Sequence, residues 1–322
     1  MSKPKILVSR RWPEAVEKKL AETYDATFNE ADRPMTKEEM RQALKDYDAF
    51  CPTVSDTVDA SVFDVSDPRT RIIASYGVGF SHIDTDAAKK AGIVVTNTPE
   101  VLSECTADLA ITLMLTAARR ANEGERELRA GEWTGWRPTH MIGTKVSGGT
   151  FGVLGFGRIG QEAAKRAHHG FGMNVIYYDA YPVSPEKAAT TKAEARDSIE
   201  AVLREADVVS LHMPGGKENY HLINAERLAM MKPNAILVNS ARGEVVDANA
   251  LAEALKKGTI AGAGLDVFEG EPTIPPALLE THAVMLPHLG SATQSTREAM
   301  GWRVMDNLEA FFKGTEPGDR VA

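Results

Sequence analysis

Three stretches in the second half of the chain carry ionisable side chains directly after short apolar runs. Asn239-Ser240-Ala241-Arg242-Gly243 follows one run. Gly262 to Pro272, which holds Asp266, Glu269 and Glu271, contains a second, and Leu286 to Thr293, which holds His288, follows the last. In open α/β sheets ligands lie beyond the carboxyl ends of the strands, so charged groups at such ends are candidates for chemistry. The planar fork of an arginine can grip a carboxylate and polarise a neighbouring carbonyl oxygen. Histidine is the side-chain type that gains and loses a proton near neutral pH. A carboxylate beside it would orient the ring and stabilise the imidazolium. Singly, a surface arginine, a solvated glutamate and a core histidine are the commoner occupants of such positions. Arg242, Glu271 and His288 together, after consecutive strand ends, read as a site.

A second constellation lies upstream. Phe151-Gly152-Val153-Leu154 has the character of a buried strand and runs into Gly155-Phe156-Gly157-Arg158-Ile159-Gly160, after which a helical stretch continues to about His168. A further apolar run, Val175 to Tyr178, ends in Asp179. Gly155 allows a tight strand-to-helix turn, and Gly157, without a Cβ, lets a pyrophosphate approach the backbone. Gly160 lets the helix pack close to the sheet. The exposed N–H groups at the helix start would face the diphosphate, and Asp179 would accept from the adenosine ribose hydroxyls. A GxGxxG run alone is weak, but here it follows a strand, opens a helix and is followed by an acid ending the next strand.

The elements that must position these residues alternate in the manner of parallel sheets. In the first part, strands at Ile6 to Val8, Ala49 to Cys51, Arg71 to Tyr76 and Ile93 to Val95 alternate with helices. One of these helices opens with the T-x-x-E capping box of Thr36 to Glu39. One long helix is expected from Glu104 to about Ala130 with Ser103 as its cap, its first half apolar enough to be buried. The loop after it holds Trp133 and Trp136, which are costly to leave in water, so core filling and a partner subunit are equal readings. Strands then recur at 151–155, 174–179, 208–212, 235–239, 263–267 and 284–286, before an amphipathic helix from Ser295 to about Phe312. The chain has 322 residues, room for about two domains. The net charge of −8 speaks against a nucleic-acid surface. Cys51 and Cys105 have no paired spacing and no Cys/His cluster, which fits a reducing compartment and no metal site. No apolar run spans a bilayer. A cytoplasmic protein without a membrane partner is expected.

At this point the sequence resembles the D-isomer-specific 2-hydroxyacid dehydrogenases over nearly its whole length, and within them the glyoxylate/hydroxypyruvate reductases. The resemblance rests on Asn97-Thr98-Pro99, Thr106 to Ala110, the glycine turn and Leu211-His212-Met213-Pro214. It continues through Ala241-Arg242-Gly243, Gly264 to Val267, Glu271-Pro272 and Pro287 to Ser291, with Tyr76 to Gly79 and the Trp133/Trp136 loop marking the subgroup. It implies an α/β fold of two doubly wound, Rossmann-like parallel-sheet domains with an active-site cleft between them. Residues 1–103 and 289–322 would form a discontinuous substrate-binding domain and 104–288 the NAD-binding domain. It further implies a catalytic triad of Arg242, Glu271 and His288, with NADH as hydride donor. Cofactor contacts would come from Thr106, Gly155, Phe156, Gly157, Arg158, Ile159, Asp179, His212, Met213, Pro214, Ser240, Ala241, Arg242, Asp266, His288 and Gly290, with Asp266 on the nicotinamide amide. Substrate contacts would come from Tyr76, the Val78 and Gly79 N–H groups, Arg242, His288 and Trp136, the last reaching into the partner site of a homodimer.

Gly215-Gly216-Lys217 departs from the commoner Leu-Thr-Pro, which puts the adenine-side contact there in question. His168, His169 and His221 receive no role. The expected activity is interconversion of small 2-oxo acids and D-2-hydroxy acids, glyoxylate or hydroxypyruvate first. D-lactate-type and phosphoglycerate dehydrogenases are alternatives within the family, and a corepressor-like NAD-sensing module is the alternative outside catalysis. Glu271 argues against formate dehydrogenases, whose triad lacks the glutamate.

Overall fold

Apolar runs too short to make helices become the strands of two parallel sheets. The computed structural model describes residues 3–322, and the chain divides into one unit running through Leu102 and resuming at Ala292–Ala322, and a second, Ser103–Ser291.

The first unit holds a five-stranded sheet in the order β2-β1-β3-β4-β5, built from β1 (Lys5–Val8), β2 (Asp25–Phe28), β3 (Ala49–Cys51), β4 (Ile72–Ala74) and β5 (Val94–Thr96). All pairings are parallel. Ile6, Val8, Phe50, Ile72, Ile73 and Val95 are fully buried, as expected of strands covered on both faces. The sequence pattern does not mark β2. It is a polar edge strand whose side chains are all partly or fully exposed, so no apolar run announces it. Helix α1 (Glu14–Thr23) starts at Pro13, α2 (Lys37–Asp46) carries the expected Thr36/Glu39 capping box, and α3 (Thr85–Lys90) is capped by Asp84. The helix Gln294–Phe312 packs on α1, where a Cβ at Gly301 would come within 2.7 Å of Val16. The tail beyond it pairs Arg320 with Thr96 of β5.

The second unit holds a seven-stranded parallel sheet in the order β12-β11-β10-β9-β6-β7-β8. Its strands are β6 (Thr150–Leu154), β7 (Asn174–Tyr178), β8 (Glu194–Ala195), β9 (Val208–Leu211), β10 (Ile236–Asn239), β11 (Gly262–Leu265) and β12 (Val284–Met285). The order runs outward from β6 through β7 to β8, then returns to β9 on the other side of β6. The carboxyl ends of β6 and β9 therefore flank a topological switch point, where doubly wound sheets bind ligands.

The single helix expected over 104–130 is two helices, α4 (Ser103–Ala118) and α5 (Ala121–Ala130). Arg120 stands between them in the left-handed region, and the Ala118 carbonyl accepts from Thr144 N at 2.8 Å instead of continuing the helix. Ser103 is the first helical residue rather than the cap. The apolar half of α4 is buried within its own unit: Ala107, Leu113 and Met114 join the core formed with β6, β10 and the following helix α6 (Arg158–Phe171). By contrast α5 has no buried residue, and Trp133 and Trp136 are 51% and 82% exposed. The second figure excludes core filling as the use of Trp136. Among the described residues no helix is long and apolar enough to cross a membrane.

Candidate active site

The ends of β10, β11 and β12 bring the ionisable residues together. After β10 the Asn239 side chain folds over the next turn: its Oδ1 accepts from Ala241 N at 3.0 Å and its Nδ2 donates to the Arg242 carbonyl at 2.9 Å. Gly243 is obligatory on the far side, because a Cβ there would collide with the Phe268–Glu269 peptide. Arg242 is thus held between a buried amide and the neighbouring loop, and its Nη1 donates to the Ala241 carbonyl at 2.6 Å. Burial pulls the guanidinium pKa down, while Glu244 and Glu271 work against that shift.

Asp266, at the end of β11, is 1% exposed and serves as the anchor of the turn after β12. Its two oxygens accept from Leu289 N at 2.7 Å and Gly290 N at 2.8 Å, and its carbonyl accepts from His288 N at 3.0 Å. Burial pushes its carboxyl up, and the two N–H groups and His288 offset part of the rise. A Cβ at Gly290 would lie within 3.5 Å of both Asp266 and Thr106, so these three expected cofactor residues meet.

His288 sits in this turn with a φ of 55°, a conformation few non-glycine residues adopt and one often found at functional positions. Its Nδ1 lies 2.8 Å from Glu271 Oε2. The other glutamate oxygen, Oε1, accepts from Phe268 N at 2.9 Å, which closes the 268–271 turn. Burial pushes the Glu271 carboxyl up, but the hydrogen bond and charge of His288, the Phe268 N–H and Arg242 outweigh it and hold it below the ordinary carboxylate range. Glu271 is therefore an anion at neutral pH and accepts the Nδ1 proton, which directs Nε2 away from the pair as the atom that can exchange a proton.

The glycine turn after β6 has the features a dinucleotide requires. Gly155 has a φ of 90°, and a Cβ on it would press against the His212–Met213 peptide at 2.8 Å. A Cβ on Gly160 would collide with the Gly155 carbonyl, whereas one on Gly157 would enter open space. That opening is the cradle a pyrophosphate would fill, at the start of a helix whose first turn has no side-chain cap. Phe156 is buried and stacks on Tyr177 at 4.3 Å, so it is a core residue that supplies only backbone here. Asp179 Oδ2 accepts from Phe156 N at 2.7 Å and Oδ1 from Tyr181 N at 2.9 Å, which ties the end of β7 to the glycine turn.

After β9, His212 Nε2 lies 2.8 Å from Ser210 Oγ, and burial pulls its pKa down to about 4, so the ring is neutral. Among the described residues, His212 Nδ1 and Ser240 Oγ are buried and meet no hydrogen-bond partner. Orphaned polar atoms at strand ends, together with the open cradle at Gly157, fit a nicotinamide dinucleotide. Gly215 and Gly216, which stand where Leu-Thr is commoner, lie against Glu244. A Cβ at Gly215 would collide with its carboxylate, and Gly216 N donates to Glu244 Oε1 at 2.8 Å.

In the first unit, the Val78 carbonyl accepts from Asn97 Nδ2 at 2.8 Å, and among the described residues no acceptor meets the Val78 or Gly79 N–H. The Tyr76 side chain is otherwise engaged. Its ring packs on Trp12 at 4.6 Å and its hydroxyl donates to the Arg297 carbonyl, with burial pushing the phenol to about 12.

Sequence reasoning assigns no role to Asn239, although an Asx residue directly between a buried strand and the arginine turn is a recognisable signal. Nor does it foresee that Asp266 holds the His288 turn, since that depends on partners distant in sequence.

Comparisons with known proteins show what the chain is similar to. A family model described as D-isomer specific 2-hydroxyacid dehydrogenase, NAD binding domain, matches residues 111–290. The glyoxylate reductase of Thermococcus litoralis is 45% identical over 324 residues, covering 99% of this chain and 97% of its own. The crystal structure of a glyoxylate reductase from Paecilomyes thermophila superposes with a TM-score of 0.87 at 32% identity, covering 100% of this chain and 99% of that one. An NADPH-dependent glyoxylate/hydroxypyruvate reductase from Sinorhizobium meliloti, solved with NADP and malonate, has a TM-score of 0.85 at 35% identity, over 100% and 97% of the two chains.

Proposed function

The chain belongs to the D-isomer-specific 2-hydroxyacid dehydrogenases, NAD-dependent oxidoreductases, and from that premise we propose that it reduces small 2-oxo acids, glyoxylate or hydroxypyruvate first. The observation that carries this reading is the 2.8 Å pair of Glu271 and His288 Nδ1, set beside the clamped Arg242 turn. Bound NADH supplies the hydride that goes to C2 of the oxo acid. Arg242 grips the substrate carboxylate and draws electron density from the carbonyl oxygen, and its buried setting strengthens both interactions. His288 Nε2 gives its proton to that oxygen, and Glu271, accepting from Nδ1, keeps the ring aimed. In the oxidative direction His288 takes the proton back. The N–H groups of Val78 and Gly79 are the proposed second grip on the carboxylate, a nest of backbone donors. On this reading Ser103–Ser291 is the cofactor unit and the rest of the chain the substrate unit.

For the cofactor, Gly155 to Ile159 would hold the diphosphate and Asp179 the adenosine ribose. Thr106, Met213, Pro214, Ala241 and Gly290 would line the remainder, and the orphaned His212 Nδ1 and Ser240 Oγ would find partners there. The proposed assembly is a homodimer in the cytoplasm, with Trp136 reaching into the partner's site. It is supported by the four exposed apolar side chains Leu128, Trp133, Trp136 and Ile142, clustered in one segment of sequence.

The test is direct: mix the protein with NADH and a panel of 2-oxo acids and follow nicotinamide absorbance. Turnover fastest with glyoxylate or hydroxypyruvate is expected. Cofactor binding without turnover of any of them would make the chain a sensing module, and a preference for pyruvate or 3-phosphohydroxypyruvate would move it within the family.

A further inference from the structure

The turn that carries Glu271 is held from outside by a second carboxylate. Glu269, two residues earlier, has both oxygens engaged: Oε1 accepts from the Tyr220 hydroxyl at 2.8 Å and Oε2 lies 2.9 Å from His221 Nε2. The Tyr220 and His221 rings stack at 4.0 Å with 15° between their planes, so the two donors are presented side by side. A half-exposed glutamate–histidine contact of this kind ordinarily contributes little. Three observations set this one apart.

First, His221 is itself fixed to the arginine loop: its N–H donates to the Glu244 carbonyl at 2.8 Å, and Ile223 N donates to the Val245 carbonyl at 2.9 Å. Second, its φ of 48° places it in the left-handed region, which few non-glycine residues adopt. Third, Gly270 follows Glu269 with a φ of 77°, so the chain reverses between the anchored Glu269 and Glu271. The Phe268 N–H closes the same turn onto Glu271 Oε1. A continuous set of contacts thus runs from the loop after Arg242, through His221 and Glu269, to the glutamate that faces His288.

We propose that Glu269, braced by Tyr220 and His221, is a positioning residue that sets Glu271 against His288. It also gives His221 a use: it links the Arg242 loop to the Glu271 turn, so that two members of the triad are placed by one set of contacts. This rests on the triad reading given above.

The test is a cycle of Glu269→Ala and Glu269→Gln, each made in the wild-type and in the Glu271→Gln protein, with kcat and the two KM values measured for oxo-acid reduction. Glu269→Ala is expected to lower kcat about tenfold, the scale of a sub-ångström to ångström misplacement, with the KM for NADH unchanged. Glu269→Gln, which keeps hydrogen-bonding capacity, should recover most of the loss. In the Glu271→Gln background Glu269→Ala should change kcat by less than about twofold, because the residue it acts through is already disabled. Tyr220→Phe, which deletes one hydroxyl and keeps the ring, guards against a folding defect and should show a smaller loss of the same kind. Wild-type kcat in Glu269→Ala, or an equal fold loss in both backgrounds, overturns the brace. A Glu271→Gln protein with wild-type kcat overturns the triad reading and the brace with it.

Discussion

Asp179→Ser should abolish most of a preference for NADH over NADPH. The Asp179 carboxylate stands at the end of β7 and is fixed by Phe156 N at 2.7 Å and Tyr181 N at 2.9 Å, so it cannot swing aside for a larger ligand without releasing the glycine turn. A phosphate at the ribose 2′ position would bring a charge of about −1.5 to −2 beside it. At about 5 Å and an effective dielectric near 20, two unit charges repel by about 3 kcal/mol. Solvent and salt reduce this at a half-exposed site to about 1–3 kcal/mol, or a preference of about 5- to 150-fold. The following segment, Ala180-Tyr181-Pro182-Val183, carries no cation to offset it. Serine removes the charge but also weakens the two backbone anchors, charge-assisted bonds worth about 1.5–3 kcal/mol each. The kcat/KM with NADH should therefore fall while that with NADPH holds or rises. Initial rates with both cofactors, at fixed saturating glyoxylate, measure the ratio. Wild-type protein with kcat/KM values within about twofold for the two cofactors, or a ratio unchanged in Asp179→Ser, would refute the reasoning. The contrast is pointed, because the Sinorhizobium meliloti relative is NADPH-dependent.

Asn239→Ala should leave the buried Ala241 N–H and the Arg242 carbonyl without their side-chain partner, costing about 2–4 kcal/mol in urea unfolding and lowering kcat/KM for the oxo acid through a displaced Arg242. His288→Gln should depress reduction and oxidation alike by about 10² to 10⁴, with NADH binding by fluorescence retained. In the first unit, the Arg33 hydrogen bond and then the Thr36 backbone and hydroxyl hold the Glu39 carboxyl down to about 2, against an ordinary value of 4.5. A depressed acid contributes stability that is complete above the ordinary value and lost as pH falls through the depressed one. Melting temperature should therefore drop between about pH 4.5 and 2, and less so in Glu39→Gln; an identical acid profile in that variant would rule Glu39 out as a contributor. Light scattering at micromolar concentration should give a dimer, and Trp136→Ala should change KM unequally for small and large oxo acids. A monomer would remove the shared-site proposal.

The two sheets are largely readable in the sequence because most of their strands are buried on both faces, so Ile6 to Val8, Phe151 to Leu154 or Ile236 to Val238 stand out as uninterrupted apolar runs. The edge strand β2 shows no such run, since only a neighbour on one side shields it. The break between α4 and α5 is hidden for a different reason. Residues 104–130 hold no proline to stop a helix, and it is Thr144, many residues on, that takes the Ala118 carbonyl.

The same division applies to the site. Arg242, Glu271, His288 and the glycine turn are visible because their chemistry resides in residue type and in position after a strand. What holds them resides partly in the local turn of Asn239 over Arg242 and partly in pairs that only folding brings together: Asp266 under the His288 turn and, in the proposed brace, Glu269 against Tyr220 and His221. Gly243 shows the limit of reading a single residue. Its identity looks like turn chemistry in the sequence, yet the constraint is the Phe268–Glu269 peptide packed against it. That contact holds the arginine loop and the glutamate turn at a fixed spacing, so a substitution at Gly243 should disturb Arg242 and Glu271 at once, although the residue carries no functional group.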